Sequence, residues 1–168
     1  MLRHPVWLLL FIGQVTFGAN WRPSEDFLSA VRYVESYNGV FVRGDGGQSL
    51  GDFQISEAAW TDVNGWRKTR KLQCYNYDRH VFDRKLNRLY AADYLSILHQ
   101  ELTQKLKRAP TSGELYAAYN MGLSQFAQCK YRLNQVNPVT RRKCQQIARI
   151  MDIKAQAQVT VNRVGGRS

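Results

Sequence analysis

Three cysteines and three histidines are all that this chain offers a soft-ligand metal site, and they are scattered. Cys74, Cys129 and Cys144 form no C-x-x-C pair, and His4, His80 and His99 stand far apart. No zinc site is expected, and no cofactor is called for. So few cysteines also exclude a disulfide-stapled scaffold. At most one internal bridge is expected, with Cys129 and Cys144 the natural pair by spacing and one thiol left over. Long hydrophobic runs are missing too. The run from Val6 to Ile12 falls well short of the ~20 apolar residues that span a bilayer. Behind Arg3 and His4, and ahead of the small residues Gly18 and Ala19, it reads as a secretory signal peptide over residues 1–19. Acidic residues are scarce, with 13 Asp and Glu against 24 Lys and Arg, a formal charge of +11. Removing the leader with Arg3 leaves +10, from 23 Lys and Arg against 13 Asp and Glu. Nucleic acid, an acidic membrane surface and an acidic polysaccharide all suit such a charge. Export makes nucleic acid the poorest of the three, and the basic residues are spread along the chain rather than gathered in one tract.

What remains suits one domain. Ser24 can cap a helix whose first turn carries Glu25 and Asp26 and which Gly39 is placed to end. At 100° per residue Phe27, Leu28, Val31 and Val34 form its apolar stripe, with Ser29, Arg32 and Ser36 on the opposite side. Glu35 is directed toward the apolar side. Val40–Arg43 followed by Gly44-Asp45-Gly46-Gly47 predicts a β-hairpin between Val40 and Ile55. Ser56 opens a short helix that Gly65 would end, and 85–107 gives the longest helical pattern, apolar over much of its circumference. A helix after Pro110 would turn Leu115, Ala118, Tyr119, Gly122 and Phe126 inward. A last one after Asn137-Pro138 would bury Val139, Ile147 and Met151. The mature domain is expected over 20–153, with a polar, frayed tail over 154–168. There is no internal repeat and no low-complexity tract.

A carboxylate on an apolar helix face is either a structural partner for an arginine or a proton donor kept protonated by desolvation. The glycine-rich hairpin that follows Glu35 favours the second, since glycines let backbone approach a ligand. Glu35-Ser36, Gly51-Asp52-Phe53-Gln54-Ile55 and Ala118-Tyr119-Asn120-Met121-Gly122 resemble, in order, the three motifs of the lysozyme-like superfamily of soluble lytic transglycosylases and related lysozymes. The stretch GGQSLGDFQISEAAW is similar to the S-x-G-x-F-Q-I segment and following tryptophan of invertebrate-type lysozymes. The resemblance covers roughly Phe27 to Phe126. Invertebrate-type lysozymes are cysteine-rich and this chain is not, which favours the transglycosylase-like branch for the scaffold.

The resemblance implies a mainly α (α+β) lysozyme-like fold with a small β-hairpin beside the cleft, and Glu35 as catalytic acid. Cleaving a glycosidic bond needs one carboxylic acid to protonate the leaving oxygen. A hydrolase adds a second carboxylate, whereas a lytic transglycosylase lets the substrate's own hydroxyl close an anhydro ring. Asp45 at the hairpin turn is the best second carboxylate, although Asp-Gly suits a tight turn without any catalytic reason. Asp52 is a weaker candidate, and Asp62 reads as a helix surface residue. Ser49, Gln54, Tyr119 and Asn120 are the candidate sugar-binding residues. Trp60 and Trp66 either stack on sugars or pack in the core. The expected substrate is the anionic β-1,4 glycan of peptidoglycan, attacked by a monomer that is secreted or periplasmic, with no nucleic acid and no stable membrane insertion. Two rivals stay open: a non-catalytic glycan-binding module of the same fold, and a cationic protein that disrupts membranes by charge.

Overall fold

Ser24 sits in extended backbone and its hydroxyl accepts from the Phe27 amide at 3.2 Å, which opens helix α1 over Glu25–Ser36. The structure, a computed structural model, describes residues 21–165, apart from the side chains of Asp45 and of residues 162–165. The expected signal peptide lies outside the described residues. Helix α1 buries Phe27, Leu28 and Val31 of the expected stripe together with Ala30, while Val34 is only half-buried. It leaves through three successive left-handed residues, Tyr37, Asn38 and Gly39. Ser36, expected on the polar side, is buried instead: its Oγ donates to the Asp52 carbonyl at 2.6 Å and accepts from the Gly39 amide at 2.8 Å.

The expected hairpin is a three-stranded antiparallel sheet of minimal strands, β1 (Arg43–Gly44), β2 (Ser49–Leu50) and β3 (Ile55–Ser56), in the order β1-β2-β3. Arg43 faces Leu50, and Leu50 faces Ile55. Val40 and Phe41 stay out of the ladder because both of their amides donate to the Ser36 carbonyl at the end of α1, each at 2.9 Å. Gly46 adopts the left-handed conformation within the turn Asp45–Gly47.

Ser56 caps α2, which runs Glu57–Thr69 and passes through Gly65. A mid-helix glycine costs about 1 kcal/mol. Two residues later Arg67 is buried, with its Nε donating to the Gln73 carbonyl at 2.6 Å and its Nη1 to Asp93, and these contacts carry the helix past the break signal. A short α3 (Tyr77–His80) leads to α4 (Arg84–Leu106), capped by Asp83, whose carboxylate accepts from the Lys85 and Leu86 amides. Helix α4 buries Tyr90, Ala91, Leu95, Leu98 and Leu102 against its neighbours.

Helix α5 (Ser112–Met121) starts with a reciprocal capping box between Thr111 and Glu114. Every residue from Gly113 to Tyr119 is buried, which makes α5 the centre of the molecule. The single helix expected here is divided, because Gly122 (φ 82°, ψ 149°) separates α5 from α6 (Leu123–Gln128). Helix α7 (Pro138–Gly165) packs on α5 and α1, with the Asn137 side chain accepting from the Thr140 amide at 2.9 Å. Val139 is 57 % exposed rather than core, and Thr140, Cys144 and Ile147 take the inward positions. The helix also continues beyond Ile153 to Gly165, where the sequence pattern suggested fraying.

All three cysteines are free thiols, so the expected Cys129–Cys144 bridge is not formed. The Cys129 thiol donates to the Gln135 carbonyl, and Cys144 is buried on the inner face of α7, where burial pushes its thiol up to about 11. Among the described residues no helix is long and apolar enough to cross a membrane.

Candidate active site

Tyr116 and Asn120 are one turn apart on α5, so they face the same side. That side meets Glu35, in the last turn of α1. The Tyr116 hydroxyl donates to Glu35 Oε1 at 2.7 Å, and Asn120 Nδ2 donates to the same oxygen at 3.4 Å. From α7, Lys143 Nζ donates to Oε2 at 3.1 Å. The Glu35 side chain is 6 % exposed and that of Lys143 32 %. One turn before Lys143, the Thr140 hydroxyl donates to Asn120 Oδ1 at 2.8 Å. A carboxylate only accepts, so this bond and the Glu35 contact together orient the Asn120 amide. Burial first, and the adjacent Glu35 charge second, raise the Tyr116 hydroxyl far above its ordinary range, and it remains a donor.

Glu35 forms part of one wall of a cleft of about 550 Å³ that also takes in Tyr119, Asn120 and Lys143. Facing residues come from the sheet and α2: Ser49, Gln54, Ser56 and Asp62. Gln54 has a left-handed backbone (φ 48°), and its Nε2 donates to the Gly51 carbonyl at 2.7 Å and the Phe41 carbonyl at 3.1 Å. Its side-chain oxygen lies against Gly44, where any Cβ would collide with it. Ser49 lines the cleft from β2, and its hydroxyl has no protein partner among the described residues.

The turn 51–54 is held from three helices. Ser36 on α1 binds the Asp52 carbonyl, and Asn87 on α4 accepts from the Phe53 amide at 2.8 Å and donates to the Leu50 carbonyl at 3.3 Å. Tyr119 on α5 donates to the Phe53 carbonyl at 2.7 Å. Its hydroxyl is fully buried and held well above its ordinary value by burial and then by Glu35. Tyr119 therefore presents its ring to the cleft while its hydroxyl braces the opposite wall.

The candidates separate by location. Glu35, Ser49, Gln54, Tyr119 and Asn120 all line the one cleft. The side chain of Asp45 lies outside the described residues. Asp52 is buried and turned toward the other side of its turn, where it accepts from Arg32 Nε at 2.9 Å and Nη2 at 2.7 Å. That carboxylate belongs to a second groove, of about 340 Å³, whose rim is Arg32, Arg84, Lys85 and Arg88. Asp62, expected to be only a surface residue, is exposed and lines the cleft. Trp60 is core, stacked on Tyr90 at 3.6 Å with its indole N–H donating to the Tyr75 carbonyl. Trp66 is half-buried beneath the Arg70 guanidinium, 4.0 Å from the ring centroid. Neither tryptophan lines the cleft.

Sequence reasoning missed Tyr116, Lys143 and Asn87. Tyr116 was within reach as the residue one turn before Asn120. Lys143 lies beyond the region that carries the motif resemblance, and nothing local distinguishes it from the other basic residues of α7. Among the described residues no three His, Cys, Asp or Glu side chains gather to hold a metal ion. Compared with known proteins, the chain matches no family model, no curated protein and no solved structure.

Proposed function

We propose that this protein is a lysozyme-like, exported glycosidase that cleaves the β-1,4 bond between N-acetylmuramic acid and N-acetylglucosamine in peptidoglycan, with Glu35 as general acid. The observation that carries the reading is the seat of Glu35. A nearly buried carboxylate, held by Tyr116, Asn120 and Lys143, borders a cleft of about 550 Å³ faced by a turn clamped from three helices.

Glu35 gives a proton to the glycosidic oxygen as the bond from that oxygen to the sugar's C1 breaks, and positive charge spreads over C1 and the ring oxygen. The glycan's own hydroxyl or a water then attacks C1, and the proton it sheds returns to Glu35 or to a second carboxylate. Asp45 on the turn and Asp62 on α2 are the candidates for that second group. Ser49 and Asn120 supply hydrogen bonds to the sugar.

The test is digestion of purified sacculi with mass spectrometry of the released muropeptides. Anhydro ends, one water lighter, indicate transglycosylation; ordinary reducing ends indicate hydrolysis and direct attention to Asp45 and Asp62. Glu35→Gln should abolish release while binding to sacculi persists. A wild type that binds sacculi and releases nothing would favour the non-catalytic glycan-binding module.

A further inference from the structure

Tyr116, Asn120 and Lys143 all donate to Glu35, and none of them accepts from it. That arrangement suits a carboxylate anion, because a protonated Glu35 must point its own O–H at an acceptor. Tyr119 and, elsewhere in the cleft, Tyr94 and Asp62 are the other titratable groups among the described lining residues, and the Tyr119 hydroxyl is already committed to the Phe53 carbonyl. Among the described residues the hydrogen-bond donor to Oε2 is Lys143 alone. The donor proton for a glycosidic bond shares Oε2 with the Lys143 ammonium, and has that oxygen to itself when Lys143 leaves.

Lys143 has both the freedom and the position to leave. Its side chain is about a third exposed, and it is the cation among the described residues that line the cleft, where the other charged groups are Glu35 and Asp62. Four basic residues, Arg32, Arg84, Lys85 and Arg88, gather instead on the rim of the second groove. A glycan bound against Glu35 meets that one ammonium, and a neutral glycan offers it hydroxyl and carbonyl oxygens but no opposite charge.

We infer that Lys143 is the specificity residue of this cleft: a carboxylate on the substrate draws its ammonium away from Glu35, so the general acid is armed by anionic glycans in preference to neutral ones. This deepens the proposed glycosidase reading and rests on it. Lys143 keeps its charge throughout and changes partner. Glu35 takes one proton from solvent onto Oε2, passes it to the leaving oxygen, and is a carboxylate again when the bond is broken. In the anhydro-forming case the attacking hydroxyl's proton re-arms Glu35; in hydrolysis it comes from the attacking water. On product release Glu35 gives that proton back to solvent and Lys143 returns to the carboxylate.

The experiment compares the wild type with Lys143→Met and Lys143→Arg on three soluble glycans: peptidoglycan strands with stem peptides, strands stripped of peptides that keep the lactyl carboxylate, and chitin oligosaccharides, which carry no carboxylate. For Lys143→Met the expected result is a rise in KM on carboxylated strands of about tenfold, the loss of one charge-assisted contact, together with a rise in kcat on chitin oligosaccharides. Lys143→Arg should restore the preference for carboxylated strands. If the effect is confined to peptide-bearing strands the drawing carboxylate is on the peptide; if stripped strands show it equally, it is the lactyl group. An equal fall on charged and neutral glycans, in a variant whose melting temperature matches the wild type, would overturn the inference and leave Lys143 as a strut for Glu35. No change on any glycan would overturn it as well. A wild type inactive on all three would remove the glycosidase reading itself, an outcome separate from these.

Discussion

Tyr116 Oη and Lys143 Nζ approach different oxygens of Glu35, so deleting each has a different consequence. Tyr116→Phe removes the short bond to Oε1 and leaves Asn120 at 3.4 Å as that oxygen's donor. A hydrogen bond to a charged group contributes about 1.5–3 kcal/mol. The variant should unfold at lower denaturant by a comparable margin and lose about tenfold or more in kcat on sacculi. An unchanged denaturation midpoint together with unchanged turnover would mean that the contact holds nothing. Glu35 and Asn120 were singled out in the sequence because each sits in a short motif of the resemblance, Glu35 also beside the helix end that Gly39 signals. Tyr116 and Lys143 were not: one is an ordinary core tyrosine by pattern, and the other is one of many basic residues on a long helix. Nor could the sequence decide that Asp52 turns toward Arg32 and away from the cleft. That choice follows from the left-handed exit of α1 and from Ser36 holding the Asp52 carbonyl.

Helix α5 places two of the contacts around Glu35 and the brace on Phe53, so the cap that starts it matters to the site. Glu114 closes the capping box and is also gripped by Arg108 through both carboxylate oxygens, at 2.7 and 2.8 Å. The Arg108 guanidinium, foremost among several causes, holds the Glu114 carboxyl below its ordinary value of 4.5. A carboxyl depressed in the folded state stabilises fully above its unfolded-state value, and that stability is lost as pH falls through the folded value. Glu114→Gln keeps an acceptor for the Thr111 amide but drops the charge. It should therefore melt below the wild type at neutral pH, with the gap closing as pH falls below the ordinary carboxylate range. A pH series of thermal melts checks this, and a gap that stays constant into acid would show that the charge contributes nothing. Element starts were well legible here, because Ser24, Ser56 and Asn137 act through bonds to neighbouring residues. Element ends were less so. Helix α2 passes through Gly65 because Arg67 is anchored to Gln73 and Asp93, and the last of these is distant in sequence.

Across the whole molecule the formal charge of +11 is not concentrated in the cleft. Four of its basic residues, Arg32, Arg84, Lys85 and Arg88, rim the second groove on the other face of the 51–54 turn. Attraction to an anionic sacculus should therefore depend on salt, since exposed charges are screened over about 8 Å at physiological ionic strength. Solubilisation of sacculi is expected to fall several-fold as sodium chloride is raised. Charge reversal at Arg84 and Lys85 should lower sacculus binding while turnover of short soluble strands holds, measured by co-sedimentation and by product release. Salt-independent binding would remove charge from the account of how the protein finds its polymer. From the sequence alone came the predominance of helix, the glycine-rich β segment, the helix caps and the carboxylate directed inward at the end of α1. All of these follow from residue periodicity and from bonds between near neighbours in the chain. Only the tertiary structure decided that Lys143 on α7 and Tyr116 on α5 would meet Glu35, that Asp62 would border the cleft and Asp52 would not, and that three helices would clamp one turn. Those contacts depend on how helices pack across long stretches of chain, and no local pattern of residues encodes which distant side chain a packed helix will present.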